Sequence, residues 1–260
     1  MKRVYLGTNT KMYKTIAQTV DYLQELHELT KNISREEMEL FVIPSFTTLE
    51  RARACVPEES ILLGAQNMGW EDEGQFTGEI SPLMLKEVGV RIVEIGHSER
   101  RHILKETDDM ENRKVLCALR HRFTPLLCIG ETGEQKEKGL SDEVLRMQIK
   151  RGLYNVSPEE AKNLWIAYEP VWAIGVGGIP ATKEYAAEKH KTIRTALKEL
   201  FGAVADEIPL LYGGSVNSGN AVELLQMPEI DGLFIGRSAW DAKNFHRIIC
   251  DVLLAVHPEQ

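Results

Sequence analysis

The 260-residue sequence predicts a single (β/α)8 barrel occupying residues 1–260 as one domain. Three observations lead there. Eight short apolar runs recur along the chain; each is followed by a polar or glycine-containing turn and a stretch of helical period; and the runs lack apolar/polar alternation. Parallel strands covered on both faces read this way, and eight βα units in about 260 residues match a closed barrel. An open doubly wound sheet would place Gly-x-Gly-x-x-Gly after its first strand. Gly7-Thr8-Asn9-Thr10-Lys11 does not supply it, and the glycines from Gly175 to Gly178 have the wrong spacing after a late strand.

In chain order, the predicted strands are Val4–Gly7, Leu40–Ile43, Ile61–Gly64, Ile92–Ile95, Leu126–Ile129, Trp165–Tyr168, Leu210–Tyr212 and Leu233–Ile235. After the first, Ile16, Val20, Leu23 and Leu26 share one helical face, and Thr15 with Gln18 has capping-box spacing, so the first crossover is helical. Ser157-Pro158-Glu159-Glu160 sets a cap, an N1 proline and early acids in order. Thr182 precedes Ala186, His190, Ile193 and Leu197 at helical period. Phe245, Ile248, Ile249, Val252 and Leu253 make a final amphipathic helix that would close the ring against the first strand.

Composition narrows the function. A net charge of -8 argues against general affinity for nucleic acid or an anionic membrane surface, leaving room for a small local basic site. The N-terminus turns polar too soon for a signal peptide and no apolar run is long enough to span a bilayer, so a cytoplasmic protein is expected. Cys55, Cys117, Cys128 and Cys250 form no C-x-x-C pair, which disfavours a disulfide framework or a zinc site.

A barrel of this kind carries its active site at the C-terminal ends of its strands. Those positions hold Asn9 and Lys11 after strand one, His97 and Glu99 after strand four, and Cys128 and Glu131 after strand five. Glu169 follows strand six, Gly213, Gly214 and Ser215 follow strand seven, and Gly236 and Arg237 follow strand eight. Each has an ordinary explanation alone: a solvated acid, a capping histidine, turn glycines. Together they suit removal of a proton from a carbon next to a carbonyl. Glu169 would take the proton, beside a pliable loop containing Gly175, Gly177 and Gly178, while His97 and Lys11 stabilise the enediolate oxygen. Ser98 onward should begin a helical turn whose positive end keeps the His97 imidazole neutral. The glycine clusters after strands seven and eight suit a phosphate. A metal-dependent isomerase would instead use Glu94, His97, Glu99 and His102, but Glu94 is expected to alternate away from the strand ends and Lys11 would compete with a cation. Neither a metal nor a cofactor is expected, because the proton leaves and returns with no redox change.

With these residues in place the chain resembles the triosephosphate isomerase family over essentially its whole length. The motifs that carry the resemblance are Gly7-Thr8-Asn9-Thr10-Lys11-Met12, Gly64-Ala65-Gln66-Asn67, Phe76-Thr77-Gly78-Glu79-Ile80-Ser81, Ile95-Gly96-His97-Ser98-Glu99-Arg100-Arg101, Cys128-Ile129-Gly130-Glu131, Tyr168 to Gly175, Tyr212-Gly213-Gly214-Ser215-Val216 and Gly232 to Gly236. The resemblance implies a TIM barrel in which Lys11, His97 and Glu169 are catalytic, Asn9 and Glu99 support them, and Gly175, Ser215 and Gly236 contact the substrate phosphate. A glutamate base, a neutral histidine and a water-excluding lid are this family's own pattern, carried over to these positions. It also implies a homodimer, formed by a loop from Asn67 to Ile80 that docks into a second subunit with Thr77 reaching the neighbour's site.

Several positions depart from the family pattern. Thr10 stands where the family has tryptophan, Tyr13 where asparagine is common, and the lid reads Val176-Gly177-Gly178-Ile179-Pro180-Ala181. Gly236 is followed by Arg237 where a second glycine is usual. Arg237 either points outward, leaving its N–H on the phosphate, or adds its guanidinium to the anion site. Gly-Arg-Ser-Ala-Trp at residues 236–240 is similar to a branch that isomerises four-carbon ketose phosphates in erythritol breakdown. Two substrates follow: interconversion of glyceraldehyde 3-phosphate and dihydroxyacetone phosphate, or of L-erythrulose 1-phosphate and D-erythrulose 4-phosphate. A non-catalytic phosphosugar-binding sensor is the reading from another class.

Overall fold

The structure, a computed structural model, describes residues 3–175 and 177–257. Eight parallel strands close on themselves in the order β1-β2-β3-β4-β5-β6-β7-β8. They are β1 Val4–Asn9, β2 Met38–Ile43, β3 Leu62–Ala65, β4 Ile92–Ile95, β5 Thr124–Ile129, β6 Trp165–Tyr168, β7 Leu210–Tyr212 and β8 Gly232–Phe234. Strands β4, β6 and β7 match the sequence reading; β1, β2 and β5 are longer, and β3 and β8 are offset by one residue. The ring closes through β1 against β8, with Leu6 opposite Leu233.

Helices wrap the sheet: α1 Ile16–Thr30, α2 Leu49–Cys55, α3 Pro82–Glu87, α4 Ser98–His102, α5 Asp108–Arg120, α6 Gly133–Glu137, α7 Ser141–Gly152, α8 Pro158–Ala161, α9 Lys183–Phe201, α10 Ala221–Leu225 and α11 Ala242–Val256. Their starts follow from sequence. The Thr15 hydroxyl accepts from the Gln18 N–H while the Gln18 side chain accepts from the Thr15 N–H, and Ser157 and Glu160 repeat the arrangement. Thr182 and Asp241 cap α9 and α11. α11 packs on α1 and completes the outer ring.

Two apolar layers result. Between sheet and helices lie residues such as Leu23, Leu63, Val93, Ile166, Ile193 and Ile248. Inside the barrel, Phe41, Ile92, Leu126, Trp165 and Phe234 fill the axis, with the Phe41 ring 5.4 Å from that of Trp165 and 5.7 Å from that of Phe234. The barrel is therefore plugged below and open only at its C-terminal mouth. No helix among the described residues is long and apolar enough to cross a membrane.

Candidate active site

At that mouth lies a cleft of about 710 Å³ lined by Asn9, Lys11, His97, Glu169, Gly175, Ser215, Gly236, Arg237 and Trp240, among others. Of the residues predicted to be catalytic or to contact the phosphate, all but Glu99 line it directly. Glu99 stands at its edge, where its Oε1 pairs with the Lys11 ammonium at 2.6 Å.

β1 delivers Asn9 and then turns sharply. Lys11 takes φ +52°, a left-handed conformation that a lysine adopts only when its surroundings hold it there. Its N–H donates to Asn9 Oδ1 at 2.6 Å, and its carbonyl accepts from Gln66 Nε2 at 2.8 Å and Ser45 Oγ at 2.9 Å. The ammonium is thereby presented to the cleft from a fixed backbone.

His97 follows Gly96, whose φ of +75° and close approach to Arg101 and Glu111 leave no room for a Cβ. Arg101 locks this corner by donating to the carbonyls of Gly96 at 2.8 Å and Cys128 at 2.9 Å while pairing with Asp108 and Glu111. His97 is the N-cap of α4, its Nδ1 accepting from the Glu99 N–H at 3.2 Å. That contact leaves Nε2 to carry the ring hydrogen and aims it into the cleft.

Glu169 is buried although it lines the cleft. Its Oε2 accepts from the Ser98 N–H at 3.1 Å, at the start of α4, and its Oε1 lies 3.5 Å from His97 Nε2. Gly213 makes this position available: a Cβ there would sit 2.9 Å from Glu169 Cγ. After Glu169 the chain enters the lid, where Gly175 and Gly177 have φ of +86° and +90°. Val176, counted in the lid, lies outside the described residues.

Two expectations need adjustment, those for Glu94 and Glu131. Glu94 does not alternate away from the strand ends. It faces the barrel interior two residues after the inward Ile92, fully buried, and its Oε2 accepts from Asn9 Nδ2 at 2.6 Å. Glu94, Cys128 and Glu169 bring one oxygen, the sulfur and one oxygen within 4.8 Å of one another. Burial pushes the Glu94 carboxyl up to about 7; the nearby Glu169 charge adds to this, and His97, Asn9 and Lys11 oppose it. Glu131, expected at the barrel mouth, turns instead beneath the lid hinge, where it accepts from Tyr168, Trp172 and Tyr185. Cys128 is sealed inside the barrel, where burial raises its thiol well above the ordinary value and it serves packing. Glu94, His97, Glu99 and His102 do not converge as a metal-binding group among the described residues, and His102 is exposed. Gln66, Ser45 and Trp240 carry site geometry that spacing did not reveal. The Trp240 indole donates to the Asn9 carbonyl at 2.9 Å and its ring lies 4.7 Å from that of Tyr13.

At the far end, Ser215, Gly236 and Arg237 line the cleft together. Arg237 is exposed; its carbonyl accepts from the Trp240 N–H at 3.1 Å, and its guanidinium makes no hydrogen bond or ion pair with another described residue.

Comparison with known proteins agrees in family. Residues 4–252 match the family described as triosephosphate isomerase. The chain is 46% identical over 255 residues to L-erythrulose-1-phosphate isomerase of Rhizobium etli, covering 97% of this chain and 94% of the relative. It is 43% identical over 250 residues to triosephosphate isomerase of Dictyoglomus turgidum, covering 96% and 99%. The crystal structure of triosephosphate isomerase from Bartonella henselae superposes with a TM-score of 0.85 at 36% identity, covering 96% of this chain and 98% of that one.

Proposed function

Because the chain belongs to the triosephosphate isomerase family, we propose that it isomerises L-erythrulose 1-phosphate and D-erythrulose 4-phosphate by enediolate proton transfer, with Glu169 as the base. The observation that carries the chemistry is the meeting of Glu169, His97 and Lys11 around one cleft that ends in Ser215, Gly236 and Arg237.

Glu169 takes the proton from C3 of the ketose, and the carbonyl oxygen on C2 gains the electron pair as an enediolate. His97, through Nε2–H, and Lys11 stabilise that oxygen. The His97 imidazole passes the O3 proton to O2, and return of the carbon-bound proton from Glu169 to C2 then leaves a hydroxyl on C2 and the carbonyl on C3. Asn9 and Glu99 hold Lys11. The phosphate sits against Gly175, Ser215, Gly236 and the Arg237 guanidinium, while lid closure removes water from Glu169. General-base catalysis alone contributes about 10² to 10⁴, so the electrostatic pair is required to reach ordinary enzymatic rates.

Triose and four-carbon substrates present the same atoms from phosphate to reacting carbons and differ by one hydroxymethyl group. The four-carbon reading is supported by Arg237, by the altered lid, and by similarity to relatives named for that substrate. A phosphosugar sensor would need the phosphate end without base, imidazole and ammonium. We assign the reaction to the cytoplasm, a reading supported by a charged substrate that does not cross membranes unaided. We also assign a homodimer through the 67–80 loop.

The deciding measurement is kcat/KM for L-erythrulose 1-phosphate against glyceraldehyde 3-phosphate. A preference for the four-carbon ketose is expected; a large preference for the triose overturns that assignment, and inactivity on both overturns the isomerase. Glu169→Gln should retain phosphate-analogue binding and lose at least about 10² in kcat.

A further inference from the structure

Glu94 is a fully buried carboxylate that the chemistry above does not use. Its Oε2 meets Asn9 Nδ2 at 2.6 Å, and its Oε1 meets the Cys128 thiol at 3.8 Å. Burying a carboxylate in a barrel interior otherwise filled by Phe41, Ile92, Leu126 and Leu211 is costly, and one amide donor with one weak thiol donor compensates it poorly. An apolar side chain would make a more stable floor. The position of the acid directly beneath the site calls for a task there.

That task follows from the amide above it. Asn9 has one oxygen and one NH2 group, and a rotation of 180° about its last bond exchanges them. With the Glu94 acceptor below, the NH2 is held down and Oδ1 is held up, where it receives the Lys11 N–H at 2.6 Å and Gln66 Nε2 at 3.0 Å. In the opposite orientation the NH2 would confront two donors. Lys11 would then lose the hydrogen bond that holds its left-handed turn.

We propose that Glu94 is a positioning residue: it fixes the amide orientation of Asn9 and, through Asn9, the backbone turn that presents the Lys11 ammonium to the substrate. The proposal rests on the isomerase reading for Lys11's role, but the geometric chain from Glu94 to Lys11 stands apart from any activity.

The test uses Glu94→Leu, Glu94→Gln, Asn9→Ala and the double variant Glu94→Leu/Asn9→Ala in the full-length protein. Glu94→Leu should hold or raise the thermal midpoint while lowering kcat/KM by about 10- to 100-fold, because a misplaced cation loses most of its effect. Glu94→Gln, whose amide oxygen can still accept from Asn9, should stay within about threefold of wild type at neutral pH. The double variant should be no worse than the more impaired single one, since both act through one contact. A crystal structure of Glu94→Leu should show the Asn9 amide reversed or Lys11 displaced. Unchanged kcat/KM in Glu94→Leu, losses that multiply in the double variant, or an unmoved Asn9 and Lys11 in the crystal would each overturn the proposal. If wild type turns over neither phosphosugar, the isomerase reading fails while the crystal structure still decides Glu94.

Discussion

In the proposed proton transfer Glu169, His97 and Lys11 divide the labour, and the structure shows what holds each in place. Glu169 leans on the N-terminal end of α4, His97 spends its Nδ1 on the same turn, and Lys11 is strained into a left-handed turn by Asn9, Gln66 and Ser45. Arg237 differs from these, because its guanidinium has no partner among the described residues and lines the phosphate end of the cleft. It should therefore contribute to binding and little to chemistry. Arg237→Gly is expected to raise KM for the phosphosugar by about 10-fold, the worth of one charge-assisted hydrogen bond, with kcat nearly unchanged. Steady-state kinetics check this, and a fall in kcat at constant KM would place Arg237 in the transition state instead.

In the proposed mechanism the chemistry depends on the lid. Its leading end is tied down: the Trp172 indole donates to Glu131 at 2.8 Å, and the Lys136 ammonium lies 3.3 Å from the centre of the same ring. Its middle projects to solvent at Ile179, which is 71% exposed, and folds back on the anchored end where the Ile179 N–H donates to the Trp172 carbonyl at 3.3 Å; Gly175 and Gly177 take left-handed conformations. In the proposed mechanism this segment closes over the substrate about its anchored end. Trp172→Phe keeps the ring and removes the indole donor. It should lower kcat by about 3- to 30-fold by altering the open position from which the flap closes, while leaving the thermal midpoint within a few degrees. Stopped-flow and thermal unfolding together test this, and an unchanged kcat would show that the Glu131 contact does not govern closure. The glycines of this segment were legible in the sequence, but Glu131 as its anchor was not, because the residues it joins lie 37 to 54 positions away.

For the molecule as a whole, the exposed apolar surface points beyond one chain. Phe76 is 45% exposed, Met84 58% and Met12 95%, and the loop carrying Phe76 is braced internally by its edge-on contact with Trp70 and the Gly69–Ile80 hydrogen bond. A braced loop that holds the Phe76 ring exposed among acidic residues is what a second subunit would cover. Light scattering at micromolar concentration should give twice the chain mass, and Phe76→Glu should shift it toward monomer with loss of activity. A wild-type monomer would reject the dimer.

The order of strands and helices, the caps and the strand-end residues that line the cleft could all be read along the chain, since periodicity, capping and strand-end position are properties of near neighbours in sequence. The direction in which Glu94 faces could not. Ile92, Val93, Glu94 and Ile95 are all buried, so the strand carries no apolar/polar parity to mark which residues meet the barrel axis. Only closure of the eight-stranded ring, which turns Ile92 and Glu94 inward together, decided that an acid lies beneath Asn9 and Glu169.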